Sequence, residues 1–180
     1  MNNSSHPNIV IALLRAVNVG GTGKLAMTDL KAICEGLGFD DVKTYIQSGN
    51  VLFRSALQPE EAGRMLDAAL AAKLGKAPGV MVRGRSELEA IIAANPFPDA
   101  RPNLLIVTFL PEQAPADALE KFVGPDGEEA HVAGREIYVH YPNGSGRSRM
   151  KLPALKPGTG RNINTVRKLA EMAAEMEART

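Results

Sequence analysis

Residues 9–21 read IVIALLRAVNVGG, an apolar run rich in β-branched residues that stops at an Asn and two glycines. β-Branched residues favour strands, whereas Asn and Gly favour turns. The stretch therefore predicts a first strand over residues 9–17, which leads into a polar loop. The candidate ligand-binding residues at this strand end and loop are Arg15, Asn18, Gly20, Gly21 and Lys24.

The chain after this loop predicts two helices that alternate with strands. Thr28 is expected to cap the first helix, because the apolar residues that follow it recur at helical spacing, at positions 30, 33, 34 and 37. The second helix begins after Pro59 and runs to about Leu74, and a strand covers residues 80–83.

Between the two helices, the residues Ser48-Gly49-Asn50 separate two alternating runs and predict a hairpin. A Gly49–Asn50 turn would pair Ile46 with Phe53. Together with the flanking elements, this hairpin gives the order βαββαβ.

The second part of the chain repeats the order β, α, β, β without any repeat of residues. Asn95-Pro96-Phe97-Pro98 ends a short helix over 86–94 and marks the best boundary in the chain. The elements predicted after it are a strand over 104–110, a helix near 115–122, two strands about a Gly134–Arg135 turn, and a final helix capped by Asn162.

The fold class predicted from this order is α+β, with two ferredoxin-like (βαββαβ-type) halves, antiparallel sheets and a C-terminal helix. The expected boundaries are 8–84 for the first half, 85–103 for a helical linker, and 104–178 for the second half.

In a ferredoxin-like half, the first strand lies between the third and the fourth, so its C-terminal end lies beside the hairpin. This topology would bring Ser48 and Asn50 next to the loop that follows the first strand. Backbone N–H groups at glycines, together with Asn and Ser side chains, suit an oxyanion or a phosphate ester. The alternative is that these residues only serve tight turns.

A second candidate site lies in a segment that carries no acidic residue. Between Ile137 and Ala170 the sequence has seven Lys and Arg residues and no Asp or Glu, although the net charge of the chain is only +1. An anion would fit between this basic loop and the N-terminus of the final helix. The candidates there are Asn143, Arg147, Ser148, Lys151, Arg161, Asn162, Asn164 and Lys168. The alternative is a solvated basic surface with a capped helix.

Other motifs are weaker. The stretch GGTGKL lacks the first Gly and the Ser or Thr of a nucleotide-binding P-loop, and NGSG does not match the nucleophile elbow of serine hydrolases. A two-residue turn at Gly134–Arg135 would pair Glu129 with His140 and His131 with Tyr138. An ordinary half-polar sheet face is the favoured interpretation over a metal or acid–base cluster, and no metal or other cofactor is predicted.

Composition limits the classes of protein to consider. The chain of 180 residues has one cysteine, no tryptophan, and no apolar run near the roughly 20 residues that span a bilayer. We therefore expect a cytoplasmic protein without a membrane partner. The oligomeric state is left open by the sequence.

Several of these motifs together resemble the bacterial domain-of-unknown-function family DUF1697 from about residue 8 to 177. They are ALLRAVNVGG and its continuation to VLF, then NPFP, IYVHYPNGSGRS and TGRNINTVRKL. Ala16 departs from the family pattern, which usually has Gly there, and Ile163 stands where many members have Trp. The resemblance implies an α+β fold with ferredoxin-like halves and no known activity. It carries over the motif residues Arg15, Asn18, Gly20, Gly21, Lys24, Gln47, Ser48, Asn50, Tyr141, Asn143, Gly144, Arg147, Ser148, Arg161, Asn162, Asn164 and Thr165.

Three functions remain open at this stage. The leading hypothesis is a module that binds a phosphate-bearing ligand, either a nucleotide or a nucleic-acid backbone, through the basic loop and helix N-terminus. The second is an enzyme acting on a small anionic substrate held by Arg15 and Lys24, with Tyr45, Tyr141 or His140 handling protons. The third is an interaction or assembly module that uses an exposed sheet edge.

Overall fold

The computed structural model describes residues 6–18 and 24–179. Contacts group the chain into unit 1, which comprises Met1–Glu87 with Leu169–Thr180, and unit 2, which comprises Leu88–Lys168. The elements in chain order are β1 (Asn8–Leu14), α1 (Met27–Gly36), β2 (Asp40–Tyr45), β3 (Asn50–Ser55), α2 (Pro59–Leu74), β4 (Val80–Arg83), α3 (Arg85–Ala93), β5 (Leu105–Phe109), β6 (Glu129–Ala133), β7 (Glu136–His140), β8 (Thr159–Asn162) and α4 (Ile163–Ala178).

The sheet of unit 1 has the strand order β2-β3-β1-β4, and all its neighbours are antiparallel. The first strand thus lies between the third and the fourth, as the βαββαβ order predicts. Residues 10–14 of β1 are completely buried because this strand is central in the sheet. Residues of α1 and α2, among them Leu30, Cys34, Leu66 and Leu70, complete the core of the unit.

The sheet of unit 2 repeats this arrangement with the order β6-β7-β5-β8, again antiparallel throughout. Ile137 and Val139 of β7 pack with Leu110, Tyr141 and Leu152 in its core. The α+β class, the two halves with antiparallel sheets and the C-terminal helix are therefore confirmed. The boundaries predicted at residues 84 and 103 stay predictions. Contacts group the second half of α4 with unit 1.

Thr28 does not cap the first helix. The N-cap position is Ala26, its side chain makes no capping bond, and Thr28 is the second residue inside α1. Met27 is partly buried against the core of unit 1. We attribute the earlier start of the helix to this packing.

The predicted hairpin is present with a different register. Tyr45 pairs with Asn50 across a four-residue loop, so Ile46 does not pair with Phe53. The side chain of Asn50 is completely buried and donates hydrogen bonds to the Tyr45 carbonyl (2.9 Å) and to Ser48 Oγ (3.1 Å). These bonds place Asn50 at the start of β3 rather than in the turn.

Two elements of unit 2 differ from the sequence prediction. The expected helix near 115–122 is a series of turns, in which hydrogen bonds join residues three apart, such as Ala118 N–H to the Pro115 carbonyl. The strand β8 was not predicted, because its sequence TGRN has no apolar alternation. Gly160 lies opposite Thr108 of β5, where an added Cβ would be 3.0 Å from Ile106 Cγ2. Among the described residues, no helix is long and apolar enough to cross a bilayer.

Candidate functional site

Three loops of unit 1 meet at the C-terminal end of β1. The Leu14 N–H donates to the Gly49 carbonyl and the Arg15 N–H donates to the Gly79 carbonyl, both over 2.9 Å. The first bond joins the end of β1 to the β2–β3 hairpin, as the topology predicted. The second adds the segment before β4, because β4 runs antiparallel to β1 and starts at the same edge.

Asn18 holds the loop after β1 through hydrogen bonds of both polar atoms of its side-chain amide. Its Oδ1 accepts the Leu25 N–H over 2.8 Å, and its Nδ2 donates to the carbonyls of Leu25 (2.8 Å) and Gln47 (2.9 Å). The predicted cluster of Asn18, Ser48 and Asn50 is thus assembled. Asn18 joins the loop after β1 to the hairpin, and Asn50 bonds within the hairpin; both are roles of turn residues.

Several residues at the same edge have positive φ angles, which are uncommon for residues other than glycine. Ala16, Asn18 and Ile46 all have positive φ, at 52°, 56° and 52°. Gly49 has a φ of 84°, and a Cβ placed there would lie 2.6 Å from Val17 Cγ2 and 2.9 Å from Leu14 Cβ. Gly49 is therefore needed for the close approach of the hairpin to the end of β1.

A cavity of about 160 Å³ opens beside these loops. Two cationic residues, Arg15 and Lys76, line it together with an apolar wall that includes Val17, Leu74 and Pro78. We call it the Arg15–Lys76 cavity. Lys24 is exposed and does not line it, and Gly20 and Gly21 lie outside the described residues.

Lys76 was missed in the sequence, although a signal for it was present. Gly75 ends α2 in a left-handed conformation with a φ of 87°, and Lys76 follows it directly. The βαββαβ order places the segment between α2 and β4 at the edge where β1 ends. A cation in this segment could therefore have been added to the first cluster.

The basic loop of unit 2 is not isolated from acid in space. Asp126 and Glu128 come from the turn directly before β6. Asp126 Oδ1 lies 3.0 Å from Arg149 Nη2, and Ser148 Oγ donates to Glu128 Oε1 over 2.7 Å. The Ser148 hydroxyl is the main cause that lowers the pKa of Glu128 below its usual range. The Asn143 amide donates to the Asp126 carbonyl over 3.3 Å. The segment free of acid in sequence thus has counter-charges in the fold.

Arg161 lies in β8 rather than in a loop. It is 7% exposed, and its Nη1 donates to Thr159 Oγ1 (2.7 Å) and to the Gly160 carbonyl (2.9 Å). Burial lowers the pKa of Arg161 to about 10, so the guanidinium still carries its charge at neutral pH.

The next residue, Asn162, caps α4 as predicted, because its Oδ1 accepts the Thr165 N–H over 2.9 Å. Of the other predicted residues, Arg147, Lys151 and Asn164 are exposed and Lys168 is half-buried. The backbone of Lys151 pairs with Val123.

The predicted pairs of Glu129 with His140 and of His131 with Tyr138 are both present. The Tyr138 hydroxyl donates to the Ile91 carbonyl over 2.6 Å, and burial raises the pKa of Tyr138 to about 12. Within the described part of the chain, no group of three His, Cys, Asp or Glu residues could hold a metal ion. Because its hydroxyl is buried and bonded to the Ile91 carbonyl, Tyr138 is part of the packing of unit 2.

Comparisons with known proteins agree with the fold. The sequence profile of the family described as "Protein of unknown function (DUF1697)" matches residues 8–138. The conserved bacterial protein SP0830 from Streptococcus pneumoniae is similar in structure, with a TM-score of 0.74 and 23% sequence identity, over 92% of this chain and 98% of that chain. At this identity the likeness shows a shared fold. No curated protein gives a significant match to the chain.

Proposed function

The chain belongs to the DUF1697 family, and we propose that it binds a small ligand bearing a phosphate or another oxyanion in the Arg15–Lys76 cavity. The observation that carries the proposal is the convergence of two cationic residues on one cavity from distant parts of unit 1. Both cationic side chains can form charge-assisted hydrogen bonds to an oxyanion.

The size and walls of the cavity limit the ligand. Sites that enclose drug-sized molecules have volumes of about 300–1,000 Å³, and this cavity has about 160 Å³. It can hold one anionic group with a short apolar body, or the terminal phosphate of a larger molecule whose remainder lies outside. Val17, Leu74 and Pro78 provide the apolar side of the cavity.

The basic loop of unit 2 is the competing site for a phosphate-bearing ligand. Arg147 and Lys151 are exposed there, but Arg149 is paired with Asp126 and Ser148 with Glu128. Because Asp126 and Glu128 lie against this loop and oppose the binding of an anion, we favour the cavity of unit 1.

The experiment is a calorimetric titration of the full chain with inorganic phosphate, pyrophosphate and adenosine monophosphate at low ionic strength. Arg15→Ala and Lys76→Ala should each weaken the binding of the best probe by about tenfold or more, because hydrogen bonds to charged groups contribute about 1.5–3 kcal/mol. Lys31→Ala is the matched control: it removes an exposed cation of the same unit whose partner is Glu35.

A double variant, Arg147→Ala with Lys151→Ala, decides between the two units. Unchanged binding in this variant supports the cavity. If binding falls in the double variant but survives in Arg15→Ala and Lys76→Ala, the ligand lies on the basic loop and the proposal is wrong. Equal losses in Lys31→Ala would show a general charge effect and would also contradict it.

A further inference from the structure

A groove of about 440 Å³ follows the outer strand of the unit 2 sheet. Among the described residues, β6 pairs with β7 alone and forms one edge of that sheet. Residues 128–131 line the groove together with Pro96, Phe97 and Phe122. An edge strand presents a row of backbone N–H and C=O groups on which another strand can pair.

The groove is lined by residues from both faces of the sheet. Glu129 and His131 lie on one face of the sheet, where they pair across the strands with His140 and Tyr138. The ring centroid of Phe97 is 5.9 Å from that of His140, on this same face. Ala130 lies on the other face, where Ala130 and Phe122 pack against the core of unit 2. Because Phe97 and Phe122 mark opposite faces, the groove passes around the edge of β6 rather than over one face.

We propose that this edge binds an extended peptide segment of a partner protein, which adds to β6 as a further strand and carries a cationic side chain next to an apolar one. Backbone pairing would give the strand addition, and the pockets on alternate faces would select side chains. This site is independent of the ligand proposed for unit 1.

Charge complementarity selects the cationic side chain. Glu129 is an exposed acid at the start of β6, and the aromatic rings of Phe97 and His131 line the same face of the groove. A Lys or Arg side chain placed there meets the Glu129 carboxylate and the Phe97 ring, both of which attract cations. On the opposite face, Ala130 and Phe122 offer an apolar surface to the neighbouring residue of the added strand.

The test is an NMR titration of the full chain, labelled with ¹⁵N, with the acetylated and amidated peptide Thr-Val-Lys-Val-Thr. The matched probe replaces its Lys by Glu. We expect shifts of the amide signals of residues 129–133 with the Lys peptide and at least threefold weaker binding of the Glu peptide. Glu129→Gln should weaken the binding of the Lys peptide about twofold to fivefold, as expected for a surface charge pair.

Glu112→Gln is the control variant, because it removes an exposed acid of the same unit that does not line the groove. The proposal is overturned if the β6 signals do not move at millimolar peptide, or if both peptides bind equally. It is also overturned if these signals change with protein concentration alone, since the edge would then pair with a second copy of the chain.

Discussion

Ala16 follows the end of β1 in the left-handed backbone region, with a φ of 52°. This conformation costs a residue with a Cβ about 1–2 kcal/mol, whereas glycine adopts it readily. The family that the sequence resembles usually has Gly at this position. The structure gives a physical reason: the chain must leave β1 in a conformation that glycine favours.

Ala16→Gly should therefore stabilise the protein. We expect a gain of about 0.5–1 kcal/mol in the free energy of unfolding, or about 2 °C in Tm, as the relief of the Cβ strain exceeds the larger backbone entropy of glycine. Thermal unfolding followed by circular dichroism measures this change. The control is Ala32→Gly at an exposed position inside α1, which should instead lose about 1 kcal/mol. A loss in both variants would show that the conformation of Ala16 is not strained.

The polar residues beside Ala16 show what residue types alone can predict. The residue types of Asn18, Ser48 and Asn50 predict an anion site because their side chains donate hydrogen bonds. In the fold, Asn18 bonds to the backbone of two loops and Asn50 holds the hairpin. Residue type predicted that these side chains form hydrogen bonds. It could not tell a ligand from the backbone, because both offer the same acceptors.

At the scale of elements, the register of the β6–β7 hairpin was predicted correctly because the glycine turn alone determines it. The Gly134–Arg135 turn joins β6 to β7 with the predicted pairs, because two residues with a left-handed glycine are enough to reverse the chain. The β2–β3 register was wrong because a buried side chain and a contact with β1 decide it. Such tertiary contacts are not visible in a local pattern.

The start of α4 offers a test of what its N-cap does. Asn162 is both the cap of the helix and a candidate anion ligand, and these two roles respond differently to charge. Asn162→Ala should cost about 1 kcal/mol of stability, while Asn162→Asp should keep most of it, because Asp accepts the same N–H and favours the positive end of the helix. Urea unfolding of both variants measures this difference.

The control for this test is Asn164→Ala, two residues further along the chain. The side chain of Asn164 is exposed, so its loss should change stability by no more than about 0.5 kcal/mol. Equal losses in Asn162→Ala and Asn162→Asp would contradict the capping role. If Asn162 also bound an anion, Asn162→Asp would remain stable and lose that binding.

At the scale of the whole molecule, the sequence predicted the fold class and the strand order of unit 1, but it missed the strand β8 of unit 2. Apolar periodicity and turns specify the βαββαβ order, and only a few sheet topologies accept that order. The electrostatic prediction was less complete. A charge run shows only which residues are neighbours along the chain, whereas Asp126 and Glu128 reach the basic loop from outside its sequence. Likewise, Lys76 and Arg15 line the same cavity because β4 pairs with β1.

The buried thiol of Cys34 gives the protein a predictable loss of stability in alkali. Burial, with a smaller contribution from Glu35, raises the pKa of Cys34 from 9.0 to about 12. Well below pH 9 the thiol is neutral in both the folded and the unfolded chain, so it favours neither state. Above pH 9 the unfolded chain releases this proton while the folded chain keeps it until about pH 12. Folding stability is therefore lost over this window as the pH rises.

Between pH 8 and pH 10 the loss due to Cys34 should be about 1.4 kcal/mol in the free energy of unfolding, measured by urea titration at each pH. Above pH 10 the buried Tyr138, whose pKa is also raised to about 12, should steepen the decline. Cys34→Ala is the matched variant. It starts from a lower stability because the core loses the sulfur atom, but its stability should fall less between pH 8 and pH 10. Parallel pH profiles for the two proteins would show that the thiol of the folded chain ionises as readily as in the unfolded one, and that the α1 face of unit 1 is open to solvent.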